Sequence, residues 1–218
     1  MKAIIAGSTG MIGNLVLQNC IDSDDIAEVI TLVRKPTGSK LHEKVTEVVP
    51  SNFGDYSKES ALFQNVDMAF FCIGVYTGQV KDDLFKVITV DYAVEFAKAL
   101  ASNSPKAHLC LLSGSGADRT EKSSTSFARY KGMAENQISA LGLQFHTFRP
   151  GYIYPVTPRQ EPSWVYRLSR ALYPLIRLMG DNMSIKSTEL ADAMFKVGLQ
   201  GTDQEILENR DILQQLQV

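Results

Sequence analysis

The chain has 218 residues, 44% of them hydrophobic and 21% charged, with a formal net charge of −2. That balance belongs to an ordinary folded domain and excludes a strongly basic, non-specific nucleic-acid binder. Cys20, Cys72 and Cys110 lack metal-ligand spacing, and no apolar run is long enough to span a bilayer. The expectations are one domain over 1–218, no metal, no nucleic-acid or membrane partner and, with no secretory leader and reduced cysteines, a cytoplasmic location.

The first apolar run, Lys2–Ala6, reads as a strand. Gly7-Ser8-Thr9-Gly10-Met11-Ile12-Gly13 follows at once and opens a helix over Met11–Asn19. A dinucleotide pyrophosphate needs this sequence of parts. Glycines admit backbone N–H groups close to the anion, and the helix start offers unpaired donors and a positive dipole end. A plain strand-to-helix turn does not require three glycines. The second strand, Glu28–Val33, ends in Arg34 and Lys35. No acid stands there for a ribose 2′-hydroxyl, whereas a cation neutralises a 2′-phosphate, so NADP(H) is the expected cofactor. Arg34 carries that reading; Lys35 divides evenly between phosphate contact and solvated loop.

A third strand, Val45–Val49, leads to Gly54-Asp55-Tyr56. Asp55 there either accepts from the adenine amino group or closes a turn. A helix over Lys58–Phe63 and a strand over Asp67–Ile73 come next. The helix Asp82–Ala101, the strand His108–Ser113, the helix Ser126–Ala140 and the strand Gln144–Arg149 continue the alternation. Strands apolar on both sides, alternating with helices, specify an α/β fold: a doubly wound parallel sheet covered on both faces. Cys72 and Cys110 read as small buried hydrophobes, and none of His42, His108 and His146 as catalytic. Beyond Arg149 the pattern changes. Pro150, Pro155, Pro158 and Pro162 make 151–162 a loop, with helices expected around Trp164–Met179, Thr188–Leu199 and Gln204–Gln215. Residues 1–150 are then the nucleotide-binding core and 151–218 a small helical lid on the substrate side. The apolar stripe from Trp164 to Met179 suits a lid, a core face or a subunit interface.

Several motifs, in this order, resemble the atypical short-chain dehydrogenase/reductases, and among them the NAD(P)H-binding, epimerase-like family of the Tat-interacting-protein oxidoreductase. They are Gly7–Gly13, Phe71-Cys72-Ile73-Gly74, Val90-Asp91-Tyr92 and the run from Leu111 to Asp118. Lys131-Gly132 with Glu135, Phe148-Arg149-Pro150-Gly151 and Arg159-Gln160-Glu161 follow. The resemblance implies a Rossmann sheet of strand order 3-2-1-4-5-6 with NADP(H) across its carboxyl ends. It adds Cys72, Ile73, Gly74, Lys131, Pro150, Gly151 and Tyr152 to the cofactor-binding residues. It also implies a Ser-Tyr-Lys set: tyrosine as general acid, lysine tuning it and binding ribose, serine polarising a carbonyl.

Lys131 fits the lysine, and Ser113 or Ser115 the serine, although a Ser-Gly-Ser-Gly turn explains both as well. Four residues before Lys131, where the tyrosine belongs, stands Phe127, which has no proton to give. Tyr130 lies about 60° from that face of the helix and is an alternative donor or a packing residue. Tyr152 and Tyr154 are further candidates. The expected activity is an oxidoreductase on a small carbonyl-type substrate with an altered proton donor. A non-catalytic NADPH sensor is the alternative, and a nucleotide-sugar epimerase the third reading. Pairing of two copies through the helix carrying Lys131, or a regulatory protein partner, completes the expectations.

Overall fold

Strands with no polar face must be covered on both sides, and helices from alternate crossovers do that here. The computed structural model describes residues 1–38, 42–76, 78–157, 180 and 182–217. The strands are β1 (Lys2–Ala6), β2 (Glu28–Leu32), β3 (Val45–Val48), β4 (Met68–Phe71), β5 (His108–Leu112), β6 (Gln144–Arg149) and β9 (Ile206–Glu208). All pair in parallel, in the order β3-β2-β1-β4-β5-β6-β9. This is a Rossmann sheet of order 3-2-1-4-5-6 with a seventh strand added. The order reverses between β1 and β4, the switch point where such sheets bind ligands at their carboxyl ends.

Helix α1 (Met11–Asp22) covers one face together with α5 (Ser187–Gln200), and the side chain of Asn19 donates to Asp192 at 2.9 Å between them. Ile5, Val16, Phe70, Met194 and Leu207 are buried in that layer. The other face carries α2 (Asp82–Lys86), α3 (Tyr92–Asn103) and α4 (Ser126–Ser139), over a core that includes Phe63, Phe71 and Phe96. The helix expected over Asp82–Ala101 is continuous in the chain but carries a π turn at Val87–Asp91 between α2 and α3. The segment expected as a helix over Lys58–Phe63 is a 3-10 helix, Ser57–Phe63.

The carboxyl-terminal part departs further from expectation. Residues 204–215 do not form one helix: Ile206–Glu208 is β9, and only Asn209–Gln214 (α6) is helical. A short pair, β7 (Tyr152–Tyr154) with β8 (Ser184–Lys186), brings the chain back before α5. The described part of 151–218 packs with the Rossmann layers, with α5 beside α1 and β9 extending the sheet. The expected helix at Trp164–Met179, its apolar stripe and Arg159-Gln160-Glu161 lie outside the described residues. Among the described residues no helix is long and apolar enough to cross a membrane.

Candidate active site

The glycine loop has the geometry of an anion cradle. Gly7 takes φ +91°, and a Cβ there would lie 2.8 Å from the Cys72 carbonyl carbon. A Cβ on Gly13 would fall 2.2 Å from the Gly7 oxygen. Two of the three glycines are thus required by close backbone approach. Gly10 caps α1 without any side-chain bond, and the first turn of α1 holds no acid, so no carboxylate of that turn offsets the positive dipole end. Ser8 is buried, Thr9 is exposed, and Ile12 packs into the core beneath the loop, with Met11 packed against its edge. These residues fit a dinucleotide pyrophosphate, because the space a side chain would fill is left to backbone donors.

Around this cradle the other candidates divide. Arg34 and Lys35 are both exposed just past β2, on the side where a 2′-phosphate would sit. Asp55 takes the turn role: its carboxylate accepts from the Ser57 N–H at 2.9 Å and opens the 3-10 helix. That bond holds its carboxyl below the usual range. Cys72, Ile73 and Gly74 follow β4 directly under the loop. Burial pushes the Cys72 thiol up to about 12, so it stays protonated.

At the end of β5, two of the expected catalytic hydroxyls are already committed. Ser113 Oγ donates to Glu135 Oε1 at 2.6 Å inside the core, which leaves Ser115, exposed at the turn, as the serine open to the cleft. Tyr130 Oη donates to Asp82 Oδ2 at 2.6 Å, and its ring packs against Phe85. Of the two readings left open for Tyr130, donor or packing residue, this geometry favours packing between α4 and α2. Phe127 occupies the tyrosine position with its ring over Gly114, where a Cβ would lie 2.6 Å from Cζ.

Lys131 stands one turn further along α4. Its Nζ donates to the Leu112 carbonyl at 2.9 Å, which places the amine at the carboxyl end of β5. Burial lowers its pKa to about 8, against the opposing pull of Glu135 and Cys72. Gly132 follows because α4 runs tightly past the preceding loop: a Cβ there would meet the Asp118 oxygen at 1.8 Å.

The centre that sequence reasoning missed is Glu135. It is fully buried and accepts from Ser113, from Thr147 Oγ1 at 3.0 Å, from Arg119 Nε at 2.9 Å and from both Nε and Nη2 of Arg149. Arg149 reaches on to Glu208 of β9 at 3.0 Å. Burial pushes the Glu135 carboxyl up, but the bonds from Arg149, Ser113 and Arg119 outweigh it and hold the group below its usual range. The signal available in the sequence was an acid in the apolar half of an amphipathic helix, with an arginine closing the next strand. Beyond β6, Pro150 accepts from the Ser115 N–H at 2.9 Å, and Gly151 is pressed against the Met183 carbonyl, with a Cβ expected 2.6 Å from it. Tyr152 pairs with Met183 through its backbone.

No family model matches the chain. It is 30% identical over 166 residues to the mitochondrial protein fmp52 of Aspergillus clavatus, covering 73% of this chain and 69% of that protein. The chain belongs to the fmp52 family. A second relative, the mitochondrial protein fmp52-1 of Aspergillus oryzae, is 25% identical over 68% of this chain and 64% of its own length. Among solved structures, the Bordetella bronchiseptica enzyme WbmH in complex with NAD+ superimposes with a TM-score of 0.71 at 16% identity, over 95% of this chain and 74% of that one. That likeness shows the fold. Both fmp52 relatives are named as mitochondrial, which overturns the expectation of a cytoplasmic protein. Reduced, unpaired cysteines separate oxidising from reducing compartments, not one reducing compartment from another.

Proposed function

We propose that this chain is an NADP(H)-dependent oxidoreductase that reduces a small carbonyl compound, with Lys131 and Ser115 acting where the tyrosine is absent. The observation that carries the reading is the glycine-capped, acid-free start of α1 behind a glycine cradle, with exposed Arg34 past β2. The NAD+ held by WbmH, a protein of the same fold, supports a nicotinamide dinucleotide, and Arg34 in place of an acid supports the 2′-phosphate form. When bound, the dinucleotide supplies the hydride. Ser115 orients the carbonyl oxygen by hydrogen bonding. The Lys131 ammonium holds a proton at Nζ, and its pKa of about 8 lets it give that proton near neutral pH. The neutral amine is then reloaded from water.

A second reading has its own support. Phe127 carries no proton, and the Ser113 and Tyr130 hydroxyls are spent inside the protein. An NADPH-binding sensor, paired through α4 or docked to a regulatory protein, needs none of them. A nucleotide-sugar epimerase has less support, because it requires a tyrosine where Phe127 stands.

Fluorescence titration tests the cofactor: NADPH should bind more tightly than NADH, and Arg34→Ala should weaken NADPH by about tenfold while sparing NADH. Tighter NADH binding overturns the NADP assignment. Turnover across aldehydes, ketones and quinones tests the chemistry. An inert wild type with an active Phe127→Tyr variant decides for the sensor.

A further inference from the structure

A cavity of about 390 Å³ opens between the segment leading into α2 and the start of α4. Val80, Phe85 and Phe127 give it apolar walls, and Asp82, Thr125 and Ser126 supply its polar groups. Small-ligand sites span roughly 300–1,000 Å³, and this one suits a single ring with a short substituent. Phe127 belongs to two places at once. It lines the cavity, and its ring tip also rests against Gly114 at the end of β5. The cavity therefore adjoins the candidate catalytic end through one aromatic side chain.

Asp82 decides what this cavity tolerates. Hydroxyls of Ser126 and Tyr130 donate to it, and those bonds hold its carboxyl below the usual range, so it is an anion at neutral pH. Two donors do not exhaust the roughly four acceptor positions of a carboxylate. Arg129 acts on Asp82 through space but makes its own hydrogen bond to the Ser123 carbonyl at 2.9 Å and lies 5.0 Å from the Tyr130 ring centroid, so the group a ligand meets in the wall is the Asp82 carboxylate itself. Among the described residues the cavity wall contains no lysine or arginine. A carboxylate or phosphate on a ligand would meet the like charge of Asp82 directly, whereas a hydroxyl would find an acceptor.

We propose, building on the oxidoreductase reading, that this cavity is the substrate site and selects an uncharged aryl aldehyde or ketone whose hydroxyl substituent donates to Asp82. The aromatic walls accept the ring. The anion turns away acidic aldehydes and also the diphosphate of a nucleotide sugar.

Calorimetry on the full chain, with and without NADP+, tests this with para-hydroxymethylbenzaldehyde, benzaldehyde and para-carboxybenzaldehyde. The hydroxymethyl compound should bind most tightly, and the carboxy compound about tenfold more weakly or worse. Asp82→Asn should bring those two within about threefold of each other. As a second variant that leaves Asp82 in place, Val80→Trp fills the cavity from another wall and should abolish binding of all three. Equal affinity of the carboxy and hydroxymethyl compounds for wild type, or undiminished binding in Val80→Trp, overturns the proposal. NADPH fluorescence on the same samples separates the two readings. Charge selectivity in the cavity without NADPH binding upholds the cavity and removes the oxidoreductase.

Discussion

The two ends of the cleft are built from different material. At the β1–α1 end the site is backbone: a glycine loop, a helix start capped by glycine with no side-chain bond, and spaces where a Cβ on Gly7 or Gly13 would collide. At the β5–α4 end it is side chain, and most of the side chains are already paired with each other. Ser113 serves Glu135, Tyr130 serves Asp82, and Lys131 holds the Leu112 carbonyl. A backbone cradle persists as long as the fold does, whereas a catalytic set is lost with a single hydroxyl. On the proposed reading, cofactor binding and turnover are therefore separable, and apart from Lys131 they rest on different residues.

The sharpest way to break that contrast is at Glu135, which ties α4 to the end of β5 and to β6 beneath the side-chain end. Glu135→Ala leaves Arg149 and Arg119 without their buried partner and should lower the unfolding free energy by about 3–5 kcal/mol in urea titrations. The folded-state pKa of Glu135 is depressed, so its contribution is fully present above the unfolded value near 4.5 and is lost as pH falls through the folded one. Glu135→Gln should accordingly flatten the acid limb of stability against pH. Gly13→Ala strikes the backbone end alone. A Cβ 2.2 Å from the Gly7 oxygen forces the cradle apart, costing about 1–3 kcal/mol, or roughly 10- to 100-fold in NADPH affinity by fluorescence.

Lys131 probes the other end. Its ammonium is lost as pH rises through about 8, so the rate of carbonyl reduction should fall about tenfold per pH unit above that value. Lys131→Met should remove this limb from the pH–rate profile. Tyr130→Phe should cost only about 0.5–1.5 kcal/mol of stability, for the bond to Asp82, and leave turnover unchanged. A large loss of turnover there would return Tyr130 to the catalytic group.

The sequence displays the backbone end almost completely, because strand periodicity, glycine spacing and the Arg34-Lys35 strand end are all local. Six strands and their order followed from that pattern and the resemblance. What stayed hidden is long-range. Nothing near Glu135 in the chain announces that Arg119, Thr147 and Arg149 converge on it from a loop and a neighbouring strand. Whether Ser113 or Ser115 faces the cleft depends on that same burial. β9 was hidden for another reason: three residues are too few to show alternation, and Ile206, Leu207, Ile212 and Leu213 also fit helical spacing.

That short strand has a kinetic consequence. Arg149 and Glu208 are 59 residues apart, and β9 reaches the sheet only after the β7–β8 pair and α5 have been laid down. Closing so long an interval costs entropy before its contacts return anything, so the edge of β6 stays open until late in folding. An exposed parallel edge invites pairing with another chain. During synthesis, then, the interval between emergence of β6 and arrival of β9 should be the one in which the chain is most prone to aggregate, which light scattering on a chain ending before β9 would show.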